Sequence, residues 1–256
     1  MNRSVNLFLL AVLGLAAGYA SAAETALFTN NLSVGVTMTS GNSDTMQANA
    51  SLISEGEKTG LGSVRAGMEA NYGESTVEEK ADVDGTITVK EIDDTTVKNA
   101  KLFGNVKKTA SELAFGYVDG SILYDEIALI DYRVTIGPGL GAYVVKNEKA
   151  SLSAEIGPSY IWERVSELND SYLALRVGER FTYNINDTAS IWQSLEYLPK
   201  TTDFGDYLIN AEFGVESALN RRISLRIVLQ DKYDSIPGED LEMNDLTLIA
   251  GLGVTI

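Results

Sequence analysis

Carboxylates and arginines are the side chains with which this chain could do chemistry, because it contains no cysteine and no histidine. Thiolate chemistry, disulfides, iron–sulfur clusters and metal sites built from Cys or His are therefore excluded. A Ser-His-Asp triad and a histidine general base are excluded as well. Carboxylate chemistry is still possible, either as an acid–base pair or as a set of oxygen ligands for a divalent cation.

Neither form of carboxylate chemistry has a complete motif here. Glu212 and Glu216 fall on one face of a strand, but at ~3.3 Å per residue they lie about 13 Å apart. The paired carboxyls of glycosidases are about 5–9.5 Å apart. Asp82-x-Asp84-Gly85 lacks the spacing of a full calcium loop. We therefore predict that the protein is not an enzyme and that it has no metal site and no cofactor.

The net charge narrows the range of partners. The chain has 36 acidic residues and 20 basic residues, for a formal charge of −16. Nucleic-acid binding needs a basic surface that replaces the counterions of the phosphates, so no nucleic-acid partner is expected.

The N-terminal segment has the pattern of a secretory signal. Arg3 is its only charged residue, residues 7–17 are apolar, and Ala20-Ser21-Ala22 is a small-residue cleavage site. An apolar run of about 11 residues suits a signal peptide, whereas a membrane-spanning helix needs ~20. We predict a signal peptide over 1–22, export of the chain, and one domain over 23–256.

Alternation with a period of two residues runs through most of the remaining chain. Leu32, Val34, Val36 and Met38, for example, alternate with small or polar residues. Alternation of this kind is typical of strands, in which every second side chain lies on the same face. We count twelve such segments: 27–39, 44–55, 60–72, 95–106, 111–124, 131–145, 150–163, 171–183, 188–198, 205–218, 222–233 and 244–256.

The lengths of the connections alternate as well. Connections after even-numbered segments are short, and most of those after odd-numbered segments are longer, notably 73–94 and 234–243. Short turns at one end and longer loops at the other are typical of outer-membrane barrels. We therefore predict an all-β fold: a closed antiparallel transmembrane β-barrel of about twelve strands, with short periplasmic turns and longer external loops. The acidic segment 73–94 is predicted to be the most mobile external loop.

A soluble periplasmic β-sandwich would also alternate, but two features favour the barrel. The polar face is too charged for the core of a sandwich, and aromatic residues concentrate near the ends of the apolar face as in interfacial girdles. These aromatic residues are Tyr72, Tyr132, Trp162, Tyr197, Tyr207 and Tyr233 at the loop ends, with Phe28, Phe181 and Tyr183 at the turn ends.

The alternation assigns a set of charged residues to the lumen. The set contains seven bases and six acids: Arg65, Lys101, Arg133, Arg176, Arg180, Arg226 and Lys232, with Glu69, Glu155, Glu163, Glu196, Glu212 and Glu216. A balanced interior has two interpretations, a plug of salt bridges or a narrow polar channel. The excess acid then lies in the loops, either as a solvated surface or as a site for divalent cations that bridge lipopolysaccharide phosphates.

Three local expectations follow from this strand assignment. Glu179 and Gln193 fall on lipid-facing positions, and a bulge at Gly178 would turn Glu179 away from lipid. Pro138 and Pro158 are equidistant from the centre of the turn between them and are expected to lie opposite each other. By the same counting, Arg133 lies opposite Glu163.

Several motifs in order resemble a known family. The first is Gly41-Asn42-Ser43-Asp44, a tight turn between the first two strands; the others are Tyr124-Asp125, Ile130-Asp131-Tyr132-Arg133, Glu155-Ile156-Gly157-Pro158-Ser159-Tyr160 and Tyr233-Asp234-Ser235-Ile236-Pro237. Together they resemble the YdiY-like salt-induced outer-membrane protein family, a domain of unknown function. The resemblance implies a β-barrel and implies no activity. The chain departs from many outer-membrane proteins in ending on Ile256 instead of Phe.

Two functions remain open at this stage. One is a narrow monomeric pore for small polar solutes, biased towards anions by four inward arginines: Arg133, Arg176, Arg180 and Arg226. The other is a non-conducting structural or stress-related barrel with a salt-bridged lumen. In both cases the expected location is the outer membrane of a Gram-negative bacterium. The expected partners are outer-membrane lipid, lipopolysaccharide and the barrel-assembly machinery during biogenesis.

Overall fold

The computed structural model describes residues 27–39, 44–58, 62–83, 86–238 and 241–255. The predicted signal peptide over 1–22 lies outside these ranges, as do Gly41, Asn42 and Ser43 of the family motif. Asp44 is the first residue of the second strand.

The described residues form twelve strands and no helix long and apolar enough to cross a membrane. The strands are β1 Leu27–Thr39, β2 Asp44–Lys58, β3 Gly62–Val83, β4 Thr86–Thr109, β5 Ala114–Asp125, β6 Ile130–Lys146, β7 Ala150–Val165, β8 Leu168–Asn184, β9 Ala189–Lys200, β10 Asp203–Ala218, β11 Ile223–Asp234 and β12 Asn244–Thr255.

Each strand pairs antiparallel with its neighbours in sequence, and β1 pairs with β12 to close the barrel. The predicted closed antiparallel barrel of twelve strands is confirmed. The prediction of longer connections after the odd-numbered strands holds only in part, because those after β7 and β9 have two residues each, whereas that after β11 has nine. The start of β1, the end of β12 and the connections after the even-numbered strands lie on the same side of the barrel, which we call the turn end. We call the opposite end, where the connections after the odd-numbered strands lie, the far end.

The segment 73–94 was expected to be a loop, and this expectation is wrong. β3 and β4 contain 22 and 24 residues, and their register continues from Ser63 with Lys107 as far as Val83 with Thr86. Backbone pairing between the two halves of the segment therefore outweighs the repulsion among its acidic residues. The extra length at the far end of the barrel is a paired hairpin instead of an open loop.

The registers of β6 with β7 and of β7 with β8 test the predictions made for the two prolines and for Gly178. Ile136 pairs with Tyr160 and Leu140 with Ile156, which brings Pro138 opposite Pro158 in a gap of the ladder, as predicted. The two prolines thus share a place where neither has to donate a ladder hydrogen bond. The predicted bulge at Gly178 is wrong, because β8 keeps a regular register with β7 through Gly178 and Glu179.

The two faces of the sheet differ in character. Large apolar side chains such as Leu102, Leu140 and Phe213 are exposed on the outward face, which would be unfavourable in water. Near the far end this face carries a row of aromatic rings on β9, β10 and β11. The ring centroids of Tyr197 and Tyr207 are 5.4 Å apart, and those of Tyr207 and Tyr233 are 5.8 Å apart.

On the inward face, large aromatic side chains cover glycines of the adjacent strand. Trp192 covers Gly214 so closely that a Cβ on the glycine would lie 2.0 Å from Cζ2 of the indole. Phe103 covers Gly67, Phe115 covers Gly141, and Tyr117 covers Gly139 in the same way. The glycines are therefore required for close approach, because only a residue without a side chain leaves room for a ring lying on the sheet.

This packing predicts a large difference between two glycines. Gly214→Ala should lower the free energy of unfolding by about 1–3 kcal/mol, because the added methyl forces Trp192 out of its position. Gly104→Ala is the control, since no atom lies within 4 Å of the site of its Cβ. Urea unfolding midpoints of the refolded barrels would measure both. Equal midpoints for the two variants would contradict this account of the packing.

Candidate functional site

Contacts between strands that are not neighbours identify the lumen. Lys107 on β4 reaches Glu155 on β7, and Lys232 on β11 reaches Asp125 on β5. Such pairs can meet only across the interior of a closed barrel. Because side chains alternate along each strand, these contacts fix which residues of every strand point inward.

All thirteen charged residues assigned to the lumen from the sequence have this inward parity. They are Arg65 and Glu69 on β3, Lys101 on β4, Arg133 on β6, Glu155 and Glu163 on β7, Arg176 and Arg180 on β8, Glu196 on β9, Glu212 and Glu216 on β10, and Arg226 and Lys232 on β11.

Arg176 is the centre of the largest group of ions, which we call the central network. Its Nη1 lies 2.8 Å from Glu155 Oε2, and its Nε lies 2.5 Å from Glu196 Oε1 and 4.0 Å from Asp119 Oδ1. Lys107 Nζ donates to Glu155 at 2.5 Å. The Arg176 and Glu155 side chains are only 12% and 7% exposed, so each of these charges depends on its partners for compensation.

Two further ion pairs join opposite walls nearer the far end, and we call them the cross-lumen ties. Lys232 Nζ lies 3.2 Å from Asp125 Oδ2, joining β11 to β5, which is six strands away around the ring. Arg133 pairs with Glu163 on the adjacent strand, as predicted, and its Nη2 lies 3.4 Å from Asp234 Oδ2 on β11. The ties therefore bridge the lumen across its full width.

Four of the inward cations stack on the aromatic rings that cover glycines. Arg176 lies over Tyr117 at 5.1 Å from the ring centroid, and Arg226 lies over Trp192 at 5.0 Å. Arg65 lies over Phe103 and Lys107 over Phe115 at similar distances. A repeated arrangement results, in which a glycine holds a ring flat on the wall and the ring holds a cation over the lumen.

The remaining charges of the predicted set are less constrained. Arg226 pairs with Glu216 at 3.4 Å, and Glu212 accepts hydrogen bonds from Trp192 and Gln230. Among the described residues, Glu69, Lys101 and Arg180 form no ion pair. Glu69 and Lys101 are nevertheless directly opposite each other in the ladder of β3 and β4.

The interior is filled unevenly around the ring. On the β7–β10 side, Ile161, Ala174, Leu198 and Leu208 form a buried apolar cluster with Tyr172 packed against it. On the other side, β1–β3 and β10–β12 line a cavity that is open to solvent. The side chains of Ser33, Asn49, Ser51, Arg65, Glu69, Asn71, Glu212, Arg226 and Gln230 contribute to its lining. The lining is completed by Ala50, Ile53, Val228, Ile249 and Gly251. The open part of the lumen is therefore off-centre and is lined by both polar and apolar groups.

The sequence reading missed several residues of the lumen. Lys107 falls in a predicted turn. Asp119, Asp125 and Asp234 are absent from the set of charged residues predicted to face the lumen, although all four residues form the ion pairs described above. Asp119 and Asp125 share the parity of Tyr117 on β5, so strict alternation along that strand would have found both.

Outside the lumen the charged groups are weakly constrained. Lys98 pairs with Glu126 at the far end, where both side chains are more than two-fifths exposed. The hydrogen bond from Lys98 lowers the pKa of the Glu126 carboxyl. No group of three or more acidic residues placed to hold a metal ion occurs within the described part of the chain. The side chains of Asp82 and Asp84 lie outside that part.

Comparison with known proteins gives one family and a set of similar folds. A family model described as "Protein of unknown function, DUF481" matches residues 32–256. No curated protein matches the sequence.

The similar solved structures are β-barrels of low sequence identity. A NanC porin superposes with a TM-score of 0.53 at 9% identity, covering 89% of this chain and 100% of that one. The likeness is one of fold. A KdgM porin in complex with disordered oligogalacturonate has a TM-score of 0.45 at 8% identity, with coverage of 90% and 99%. The translocator domain of the autotransporter NalP from Neisseria meningitidis has a TM-score of 0.46 at 11% identity, with coverage of 99% and 96%.

The ion pair of Arg133 predicts coupling between Arg133 and Glu163. Arg133→Met alone should cost ~3–5 kcal/mol of stability, because Glu163 and Asp234 lose their counter-charge. Arg133→Met with Glu163→Leu should recover part of this loss, measured by urea unfolding of the refolded barrel. Lys98→Met, at the exposed rim, is the control and should leave the midpoint almost unchanged. A double-mutant loss equal to the sum of the two single losses would show that the residues are independent.

Proposed function

The chain belongs to the DUF481 family of proteins of unknown function, and we propose that it is an outer-membrane β-barrel that forms a narrow pore for small polar solutes. Each chain encloses its own pore. The cell envelope of a Gram-negative bacterium is the corresponding location, with outer-membrane lipid and lipopolysaccharide as the surroundings and the barrel-assembly machinery as the partner in biogenesis.

The contrast between the two faces supports the membrane location. Exposed apolar side chains cover the outward face, and the aromatic row of Tyr197, Tyr207 and Tyr233 has the character of an interfacial girdle. The inward face holds the ions. In this orientation the turn end faces the periplasm and the far end faces the outside.

The off-centre cavity is the observation that carries the pore hypothesis. Its lining combines amides, hydroxyls and charged groups, which can replace the hydration of a small polar solute. Of the four arginines expected to favour anions, Arg133 and Arg176 are compensated by carboxylates within the ion pairs of the lumen. Arg226 pairs with Glu216 and Arg65 pairs with Glu55, so any preference for anions would depend mainly on Arg180, which forms no ion pair among the described residues.

The cross-lumen ties favour a second candidate, a non-conducting structural barrel. Lys232 with Asp125 and Arg133 with Asp234 join opposite walls, and the apolar cluster fills one side at a similar height. Both candidates are non-enzymatic, as expected for a chain without histidine or cysteine.

Conduction through the cavity can be tested with a single introduced thiol, because the chain has no cysteine of its own. The purified barrel should give single-channel currents in planar bilayers. Ser51→Cys should conduct normally and lose most of its current when a charged methanethiosulfonate reagent is added, since residue 51 lines the cavity. Leu102→Cys, on the outward face, is the control and should be insensitive. Absence of current in the unmodified barrel across several salts would rule out the pore.

Removing one cross-lumen tie separates the two candidates. Lys232→Ala with Asp125→Ala deletes both partners, so no uncompensated charge remains from this pair. If the barrel is a pore, its single-channel conductance should rise above the wild-type value, because the bridge across the lumen is gone. If it is a structural plug, current should appear only in the double variant. Unchanged conductance in a conducting wild type would show that the tie does not limit the path.

A further inference from the structure

The outward face of β8 and β9 carries two polar side chains within an otherwise apolar band. Glu179 is paired in the ladder with Ala154 and Leu195, and Gln193 is paired with Phe181 and Phe213. No bulge interrupts β8 at this point, so the alternation that points Arg180 inward also points Glu179 outward. The two polar residues are diagonal neighbours on adjacent strands.

Both residues lie at membrane depth if the barrel spans the outer membrane as proposed. Glu179 is flanked along β8 by Phe181 and Tyr183 towards the turn end and by Val177, paired with Tyr197 of the aromatic row, towards the far end. It is five residues inside β8 from Asn184, and Gln193 is four residues inside β9 from Ala189. The two side chains thus have similar depth in the apolar band.

Neither side chain is satisfied within its own barrel. Among the described residues, Glu179 and Gln193 form no hydrogen bond, and Glu179 Oε1 is buried without a partner. Hydrocarbon supplies no donor or acceptor, so polar groups facing lipid are costly. Asp231, another outward acid, also has an oxygen, Oδ1, that is buried without a partner, but it is next to the girdle residue Tyr233, where the cost of a charge is smaller.

We propose that the β8–β9 face is the contact surface for a second copy of this chain. A two-fold axis along the membrane normal leaves depth unchanged, so it can bring Glu179 of one barrel against Gln193 of its partner, and the reverse. The Gln193 amide N–H then donates to the carboxylate oxygen across the contact, twice per pair. The patch is complementary to itself, as an isologous interface requires.

The complementarity of the two groups favours a second copy over lipid. Acyl chains could satisfy neither the carboxylate nor the amide, whereas each group supplies what the other lacks at the same depth. The pairing rests on the membrane location proposed above but not on conduction, because each barrel keeps its own lumen. A paired assembly also differs from the monomer expected from the sequence.

Disulfide trapping tests the contact directly in a chain without cysteine. Two differently tagged copies would be co-expressed, one carrying Glu179→Cys and the other Gln193→Cys, and isolated outer membranes would be oxidised. The expected product has twice the mass of the chain, carries both tags and disappears on reduction. The control pair is Leu102→Cys with Ile122→Cys, which are paired in the ladder of β4 and β5 and equally exposed on the outward face.

Each result decides the proposal. Linking at 179 and 193 without linking at the control pair supports it. Equal linking at both pairs would indicate random collision and overturn it, as would no linking at 179 and 193, or linking only to a different protein. Absence of the protein from the outer-membrane fraction would overturn the membrane location and this pairing together, whereas a monomer found in that fraction would overturn the pairing alone.

A second variant guards against a misfolded cysteine protein. Glu179→Leu with Gln193→Leu makes the face uniformly apolar, so the barrel should still fold and show heat-modifiable migration on gels. Its mass in mild detergent, measured by sedimentation, should fall to that of the monomer while the unmodified chain sediments as a pair. Pairing that persists in this variant would contradict the proposed contact.

Discussion

Closure of the sheet is the constraint on which the other features of this molecule depend. Because β1 pairs with β12, every strand has two neighbours and none is a free edge of the sheet. Closure also separates the side chains of each strand into an outward and an inward set. The charged residues of the inward set then share a confined interior, where most of them are compensated by ion pairs. The central network and the cross-lumen ties are the consequence.

The glycines of the inward face make this crowded interior possible. Arg176 and Arg226 each stack on an aromatic ring, and each ring lies flat on the barrel wall over a glycine. A larger residue at Gly139 or Gly214 would lift the ring, and the ring would displace the cation. The choice of glycine, the packing of the aromatic ring and the position of the cation are therefore linked at each of these sites. Replacing one of these glycines would consequently disturb the ion pairs.

The sequence predicted those features that local counting controls. Counting from the centre of the short turn between β6 and β7 predicts Arg133 opposite Glu163 and Pro138 opposite Pro158, and the ladder takes this register beyond a one-residue shift between Tyr143 and Val145. The family match agrees with the motifs along the chain. Contacts across the lumen, such as Lys107 with Glu155, depend on how the ring closes, which no local pattern records. The β3–β4 extension was missed because its acidic composition favoured a loop, whereas pairing of the two strands compensates for that composition.

The cavity lies next to the seam of the barrel, where β1 pairs with β12. This position follows from the uneven filling of the lumen. Among the described residues, the register of β1 with β12 joins four residue pairs, from Asn31 with Thr255 to Val34 with Leu252, and is the shortest ladder. Ions and apolar side chains concentrate away from it, towards β4–β9, and the cavity borders it. Arg226 on β11 donates to Ser33 on β1 at 3.1 Å, which ties the two sides of the seam from within. Arg226, which lines the cavity, therefore also supports closure of the barrel. A change that loosens the contact between β1 and β12 should for this reason also widen the cavity.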